Sequence, residues 1–532
     1  MPESPAAPRA TSAKARAAAL HRLAVVTVLG FASGLPLALT GQALQAWLSV
    51  DGIDIATIGF LSLVGLPYTF KFLWAPLMDR FELLPRLGRR RGWLIVTQLG
   101  LALTLLLLAA TPPKQSLQLF ALLALAVAFV SASQDVVIDA YRTELVLPGE
   151  RGLGSSLYVL GYRLAMIVSG GIALIWTDPT QGGGWSWSEV YRAMAWLMAA
   201  AAVFTLLALP RLPVLTVAQP VARHDVLGFL AVLLAVGVGY GLTQQFGGAI
   251  ARALLSPWLH SSTIDAALQA RWVDLATLLL GIAFTLPLAA WAARKARFET
   301  LLSGLASYFA QPGATGFLAF IVLYKLGDAF AGSLMTPFLL QAMAFASAEV
   351  GVVNKIIGLW LTIGGALLGG ALMLKLGLWR ALMLFGILQM ASNVGFWWLA
   401  TYGKGQLPGL TIPPFDLGIV QLAHATPVDG GLLLVIAAEN ISGGMGTAAF
   451  VALLMALCNQ RFTATQFALL SAFASVGRVW VGPLAGVLAE SIGWPTFFIV
   501  SMVLALPALV MLWWMRVPVR ALEATPQQAT SR

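Results

Sequence analysis

From residue 23 onward the chain consists of long apolar runs of about twenty residues, separated by short polar, glycine- or proline-bearing turns. At 1.5 Å per residue, such a run as a helix matches the roughly 30 Å hydrocarbon core of a bilayer. The runs predict membrane helices near residues 23–48, 55–78, 93–111, 117–142, 152–176 and 190–209. A second group of six falls near 315–341, 349–373, 381–401, 431–457, 464–489 and 495–515. Between the groups, 226–245 and 272–292 are also long enough to cross, and FLAVLLAVGVGYGL has no polar face with which to lie along a membrane surface. The expected architecture is an all-α integral membrane protein of fourteen transmembrane helices. It has a tail (1–21), a six-helix bundle (22–210), a linker carrying two added helices (211–314), a second six-helix bundle (315–516) and a tail (517–532). A signal peptide would have a shorter apolar core and a cleavage site, so the first run is expected to be a retained helix.

Composition supports this division. Of 532 residues 59% are hydrophobic and only 10% charged, against about 25% charged in a soluble domain, which excludes a water-soluble enzyme. The net charge of +10 is spread as single Lys and Arg residues between apolar stretches, with no aromatic-interleaved groove. That excludes nucleic acid and leaves the lipid bilayer as partner. A single cysteine, Cys458, cannot form an internal disulfide, and no Cys/His cluster has metal-ligand spacing. No metal and no cofactor are expected. With the N-terminus inside, 22 of the 32 Lys and Arg residues fall on the cytoplasmic side. Five fall outside (Lys114, Arg192, Arg252, Arg271, Lys404) and five within spans, so both termini are expected to be cytoplasmic. The longest outer loop, about 402–430, contains GKGQLPGLTIPPFD and is too short for a domain.

The halves share one signal. APLMDRFELLPRLGRRR (75–91) and GALMLKLGLWR (370–380) both fit G-x-x-x-D-R-x-G-x-x-R, the frame joining helices two and three in major facilitator transporters. The first copy has Ala75 for the leading Gly and six extra residues before Gly88, and the second has Leu374 where the Asp belongs. Such a pattern implies parallel halves with substrate held between them. Asp79 and Arg80 of the first copy, with Arg142, are the expected gating residues.

A charge at membrane depth costs at least about 2.5 kcal/mol, so each one marks a site or an ion pair. Eight lie well inside spans: Lys71, Arg163, Lys325, Arg478, Asp135, Asp139, Asp328 and Glu439. SQDVVIDAYRTE (133–144) places Asp135 and Asp139 one turn apart on one helix face, with Gln134 beside them. Two carboxylates so close in low dielectric cannot both ionise cheaply, so one is expected to carry a proton. The four histidines fall in predicted loops, leaving Asp135, Asp139, Asp328 and Glu439 as proton carriers. The alternative for Asp139 and Arg142 is a structural tie to the Asp79/Arg80 loop. Tyr158, Tyr162 and Arg163 could stack on a sugar and hold a carboxylate, although packing explains the tyrosines too. Lys325 and Asp328, three apart, could neutralise each other. Gln42, Gln45, Gln134, Lys325 and Asn440 complete the expected binding set.

Six stretches in order, GFASGLPLALT (30–40), FKFLWAPLMDR (70–80), GRRRGW (88–93), SQDVVIDAYRTE, YKLGDAFAGSL (324–334) and AENISGGMGTAAFVA (438–452), resemble the AmpG family of muropeptide permeases. The resemblance spans both halves. It implies a secondary active transporter, not an enzyme, in the inner membrane of a Gram-negative bacterium. It further implies proton-driven import of N-acetylglucosaminyl-1,6-anhydro-N-acetylmuramyl peptides for peptidoglycan recycling and a link to β-lactamase induction; separately, a monomer is expected. Composition and spacing do not reveal that sugar-peptide, and the same cavity would suit other polar anions such as nucleotide-linked acyl compounds. A membrane enzyme or lipid-handling protein would need clustered catalytic groups, and no His-rich motif, nucleophile elbow or phosphate loop is present.

Overall fold

The computed structural model describes residues 13–74, 78, 82–146, 151–181, 183–211, 223–261, 265–298, 302, 306, 309–310, 313–416, 421–457 and 463–524. The first helix, α1 (Ala13–Leu39), begins ten residues before the expected span, because KARAAALHR consists of strong helix formers. It breaks at Gly41, and α2 (Gln42–Val50) follows. The second expected span is a succession of short pieces, α3 (Ile55–Leu61), a 3₁₀ turn, α4 (Leu66–Phe70) and a second 3₁₀ turn (Lys71–Leu73). Gly65 and Pro67 interrupt its hydrogen-bond ladder. Then come α5 (Arg89–Ala109), α6 (Leu117–Leu145), α7 (Arg151–Met166, continued by a π turn to Trp176) and α8 (Trp187–Ala208).

The linker carries α9 (Arg223–Leu242), continued through a π turn by α10 (Gly248–Ser261), and the returning α11 (Ala266–Lys295). The second bundle has α12 (Ala314–Gly332) and α13 (Gly358–Leu376), the latter preceded by Ser347–Val350 and a π turn (Gly351–Ile357). It continues with α14 (Leu378–Tyr402), α15 (Gly430–Leu457) and α16 (Thr463–Trp514), which Gly493 (φ 73°) divides into two arms. A short α17 (Arg516–Ala524) follows within the expected C-terminal tail. Among the described residues, twelve helical stretches are long and apolar enough to cross a membrane, and Ile55–Phe70 is a shorter apolar one. His21, His224 and His260 lie on α1, α9 and α10 near their ends rather than in loops, as good helix formers around them extend each helix.

In the first half α1 packs on α7, and α5 on α6 and α8; in the second α12 packs on α16, and α15 on α13 and α14. α9 and α11 form a hairpin fixed to the rest by an Arg271–Asp54 ion pair of 2.8 Å and a Trp272 Nε1 donation to Ser491 Oγ of 3.0 Å. Leu234, Leu254, Leu279 and Trp291 on the hairpin are more than half exposed, as suits a lipid-facing surface.

The halves join at the end where the 402–430 loop lies, here termed the loop end. Gln45 Nε2 donates to the Ser333 carbonyl (2.8 Å), and Gln341 Nε2 to the carbonyls of Ser49 (3.1 Å) and Ile53 (3.0 Å). The Ala348 amide donates to Asp178 (3.1 Å), and the Ala56 amide to Glu490 (2.8 Å). Beneath them α3 meets α16 almost backbone to backbone, and a Cβ on Gly59 would lie 2.5 Å from the Gly482 carbonyl oxygen. The loop itself carries two short antiparallel ladders, β1 (Leu410–Ile412) with β4 (Thr426–Val428) and β2 (Phe415–Asp416) with β3 (Gln421–Leu422).

Candidate functional site

The first half places its charges in one connected network. α1 and α7 touch closely because Gly30 and Gly34 lie under the backbone of Tyr158 and Tyr162, where a Cβ would come within 2.4 Å of a carbonyl oxygen. This contact brings Ser33 of α1 between Tyr158 of α7 and Asp135 of α6. The Tyr158 hydroxyl donates to Ser33 Oγ (3.0 Å), and Ser33 Oγ donates to Asp135 Oδ1. Lys71 Nζ stands 4.0 Å from Asp135 Oδ2, and only 12% of the Asp135 side chain is exposed. Ser33 and Lys71 thus converge on the Asp135 carboxylate, with Tyr158 behind Ser33. One turn on, Asp139 pairs with Arg142 at 3.0 Å, and Arg142 lies over the Tyr158 ring at 4.2 Å. Asp139 is 45% exposed and Arg142 30%, so this end of the network is more accessible than Asp135.

Each α6 carboxylate is matched by a cation other than Arg163. Lys71 holds Asp135 and Arg142 holds Asp139, while the Arg163 contact is to Met166 Sδ at 3.9 Å. Among the described residues Arg163 has no carboxylate partner. Tyr158 and Tyr162 stand 6.3 Å apart and tilted by 37°, with the Tyr158 hydroxyl committed to Ser33.

Three other expected binding residues are engaged elsewhere. Gln134 is fully buried and donates to the Ala32 carbonyl (2.9 Å), because it points from α6 toward α1 rather than into the space between the halves. Gln45 clasps the two halves at the loop end, as described above. Asn440 accepts from Thr362 Oγ1 (2.7 Å) and donates to Glu439 (2.7 Å) and the Ile436 carbonyl (2.9 Å), which ties α15 to α13. Gln42 is exposed at the start of α2. Lys325 meets Asp328 at 3.7 Å, the Phe450 ring at 5.4 Å and Thr447 Oγ1 at 3.4 Å. Asp79 and Arg80 lie outside the described residues, as does the side chain of Arg478.

Several groups escaped the sequence reading. Ser33 carries no charge to mark it, and Lys71 was counted as a membrane charge without a partner. Asp328 lines a small cavity between α12, α14 and α16 with Gln389 and Asn393, and Gln389 Nε2 is buried without a hydrogen-bond partner. At the loop end, Leu422 is 1% exposed and packs with Ile172 and Ile175 of the first half and Ala348 and Val352 of the second. Beside it, Gln181 accepts from the amides of Ala423 (3.3 Å, on its carbonyl) and His424 (3.0 Å, on its side chain). The loop therefore straps one half to the other. Among the described residues no cluster of three metal-ligating side chains occurs.

Comparison with known proteins adds three findings. Residues 22–118 match the family model described as Acetyl-coenzyme A transporter 1. The chain is 42% identical over 491 residues to the anhydromuropeptide permease of Escherichia coli K12, covering 92% of this chain and 79% of that one. It is 26% identical over 501 residues to the putative transporter AmpG 4 of Rickettsia conorii, covering 94% and 97%. Among solved structures, a POT family transporter in complex with a thioalcohol-conjugated peptide superposes with a TM-score of 0.60 at 13% identity, covering 93% of this chain and 96% of that one. The inward-open xylose transporter XylE of E. coli gives 0.53 at 14% identity, covering 95% and 99%. At these identities the structural matches establish the major facilitator fold alone.

Proposed function

The chain belongs to the AmpG family of muropeptide permeases, and from that premise we propose that it is a proton-coupled importer of N-acetylglucosaminyl-1,6-anhydro-N-acetylmuramyl peptides. It is a multi-pass membrane transporter with the major facilitator fold. The substrate reading rests on the 42% identity to the E. coli anhydromuropeptide permease. On our reading the chain makes fourteen crossings with both termini cytoplasmic, and its cargo feeds the signal that induces β-lactamase.

The coupling reading rests on the Lys71–Asp135–Ser33–Tyr158 network. In the arrangement seen, with the loop end closed, the Asp135 carboxylate faces Lys71. When the loop end opens, a proton arriving from the periplasm neutralises Asp135 and the Ser33 hydroxyl loses its anionic acceptor. Lys71 is then released toward the substrate, alongside Arg163, which holds a substrate carboxylate. Opening to the cytoplasm lets the proton leave, Lys71 returns to Asp135, and the substrate loses one of its cations. Lys325 and Asp328 are a second, self-neutralised pair that substrate contact can part. Asp139 and Arg142, with Asp79 and Arg80, belong to the gate at the end opposite the loop end.

Labelled anhydromuropeptide uptake into right-side-out vesicles, with and without a proton gradient, tests both parts. Uptake that persists with a protonophore removes the coupling while leaving the substrate reading in place. A second reading, transport of a nucleotide-linked acyl compound, draws on the family match over residues 22–118. Competition of acetyl-coenzyme A with labelled muropeptide separates the two.

A further inference from the structure

At the end of the second half opposite the loop end, here the terminal end, four cations lie on adjoining elements, α14 packing on both α13 and α17. Lys375 and Arg380 flank the Gly377 turn between α13 and α14, and Arg516 and Arg520 stand one turn apart on α17. All four are exposed, and among the described residues none of them forms an ion pair. Two are held against indole rings. Arg520 lies 4.7 Å over Trp379, whose Nε1 donates to the Leu512 carbonyl (2.9 Å), and Arg516 lies 5.6 Å over Trp513. A guanidinium held against an aromatic ring by a cation–π contact still has N–H donors to offer an anion.

α17 is amphipathic across the same patch. Val519 is fully buried and Leu522 packs against the core of the second half. On the other side Val517 is 69% exposed, beside Trp513 at 54% and Trp514 at 71%. Exposed indoles next to unpaired arginines, at the end of a membrane-crossing arm, are the composition of a bilayer interface. Water would leave these rings bare, and hydrocarbon would leave the guanidinium groups unpaired.

We propose that this patch binds the headgroup of an anionic phospholipid from the leaflet on the terminal side. The phosphate is held by Arg380, Arg516 and Arg520 with Lys375 at the rim, and the acyl chains lie along Trp513, Trp514 and Val517. The apolar flank argues for a lipid rather than a free phosphate, since a soluble anion makes no use of it. The site is independent of the transport cavity, so it stands or falls apart from the muropeptide reading.

Lipid retention by the purified full chain in detergent, read by native mass spectrometry, tests it with phosphatidylglycerol, phosphatidylcholine and inorganic phosphate as probes. Phosphatidylglycerol should be retained over phosphatidylcholine, and inorganic phosphate should neither bind nor displace it at matched concentration. Each Arg→Gln change should weaken retention about fivefold, so R380Q/R516Q/R520Q should retain little. Because Arg516 is exposed, R516Q alone is a second test if the triple variant folds poorly, its melting temperature without lipid matching the parent. Equal retention of the two lipids, parent-like retention by R516Q, or equal binding of inorganic phosphate would each overturn the proposal.

Discussion

Lys71 and Asp135 face each other at 4.0 Å across the gap between the 3₁₀ turn after α4 and helix α6, where the Asp135 carboxylate is almost wholly buried. Removing the cation leaves that charge without its match, a loss of about 1 kcal/mol because Lys71 is 35% exposed and solvent screens the pair. Lys71→Met should therefore lower thermal stability in detergent, and Lys71→Met with Asp135→Asn should recover most of it. The check is a double-mutant cycle on melting. Additive losses would show that the two side chains do not act together.

The same pair sets the expected transport phenotype. With Asp135→Asn the cavity keeps its shape and its hydrogen-bond acceptor but has no carboxylate to protonate. Substrate counterflow should persist, while accumulation driven by an imposed proton gradient should fall to the level of a protonophore control. Asp139→Asn should have the milder effect, because Asp139 is half-exposed and already neutralised by Arg142. If both variants accumulate muropeptide as well as the parent, coupling lies with Asp328 or Glu439.

Arg163 stands on the α7 face without a carboxylate partner among the described residues, held only by Met166 Sδ at 3.9 Å. An unpaired guanidinium at membrane depth is poised for a bidentate carboxylate. Arg163→Ala should raise the apparent KM for muropeptide by on the order of 10- to 100-fold, the worth of a charge-assisted bond. Arg163→Lys should recover only part of that loss, since an ammonium cannot grip two oxygens in parallel. Measured uptake at graded substrate concentration decides, and an unchanged KM in Arg163→Ala would move the anion site to Lys71 or Lys325.

The fold was legible because hydrophobic run length is a direct measure of membrane thickness, and the buried charges were legible because they are costly. Partner choice was not. No sequence spacing pairs Asp135 with Ser33 or Lys71; the close α1–α7 contact, which depends on Gly30 and Gly34, brings Ser33, backed by Tyr158, to the carboxylate from one side while Lys71 reaches it from another. Gln134 and Asn440 were read as cavity residues since an amide in a span is polar, yet each satisfies a neighbouring helix. The strap at 402–430 was invisible for a different reason. Its strands are two or three residues long, below any periodic signal, and what orders them is Leu422 packed between residues distant in sequence.

Topology is checked with reporter fusions at three turns. One between Arg211 and Arg223 should read cytoplasmic, and one within 403–429 periplasmic. One between Ser261 and Asp265 should also read periplasmic, because Arg271 and Trp272 just beyond it bond Asp54 and Ser491 at the loop end. A cytoplasmic signal there would mean that the α9–α11 hairpin does not cross.

The last prediction concerns closure of the loop end. Besides the hydrogen bonds that cross it, two packing features hold it: the contact of α3 with α16 through Gly59 and Gly482, and the strap that carries Leu422 onto both halves. A side chain at Gly59 would place its first carbon 2.5 Å from the Gly482 carbonyl oxygen, a distance that requires the helices to part. Gly59→Val should therefore disfavour the closed loop end, raising the labelling of engineered cysteines that line the space from that side and lowering uptake. The strap acts in the opposite sense when it is locked. Ala423 and Gln181 are bonded through their backbones at 3.3 Å, which brings their Cα atoms within reach of a disulfide. The pair Gln181→Cys with Ala423→Cys should form a disulfide under mild oxidation and stop uptake, and reduction should restore it. A transporter must open at this end to load from outside, so full uptake with the bond formed would show that the strap rides on one half through the cycle and leaves the gate to α3 and α16.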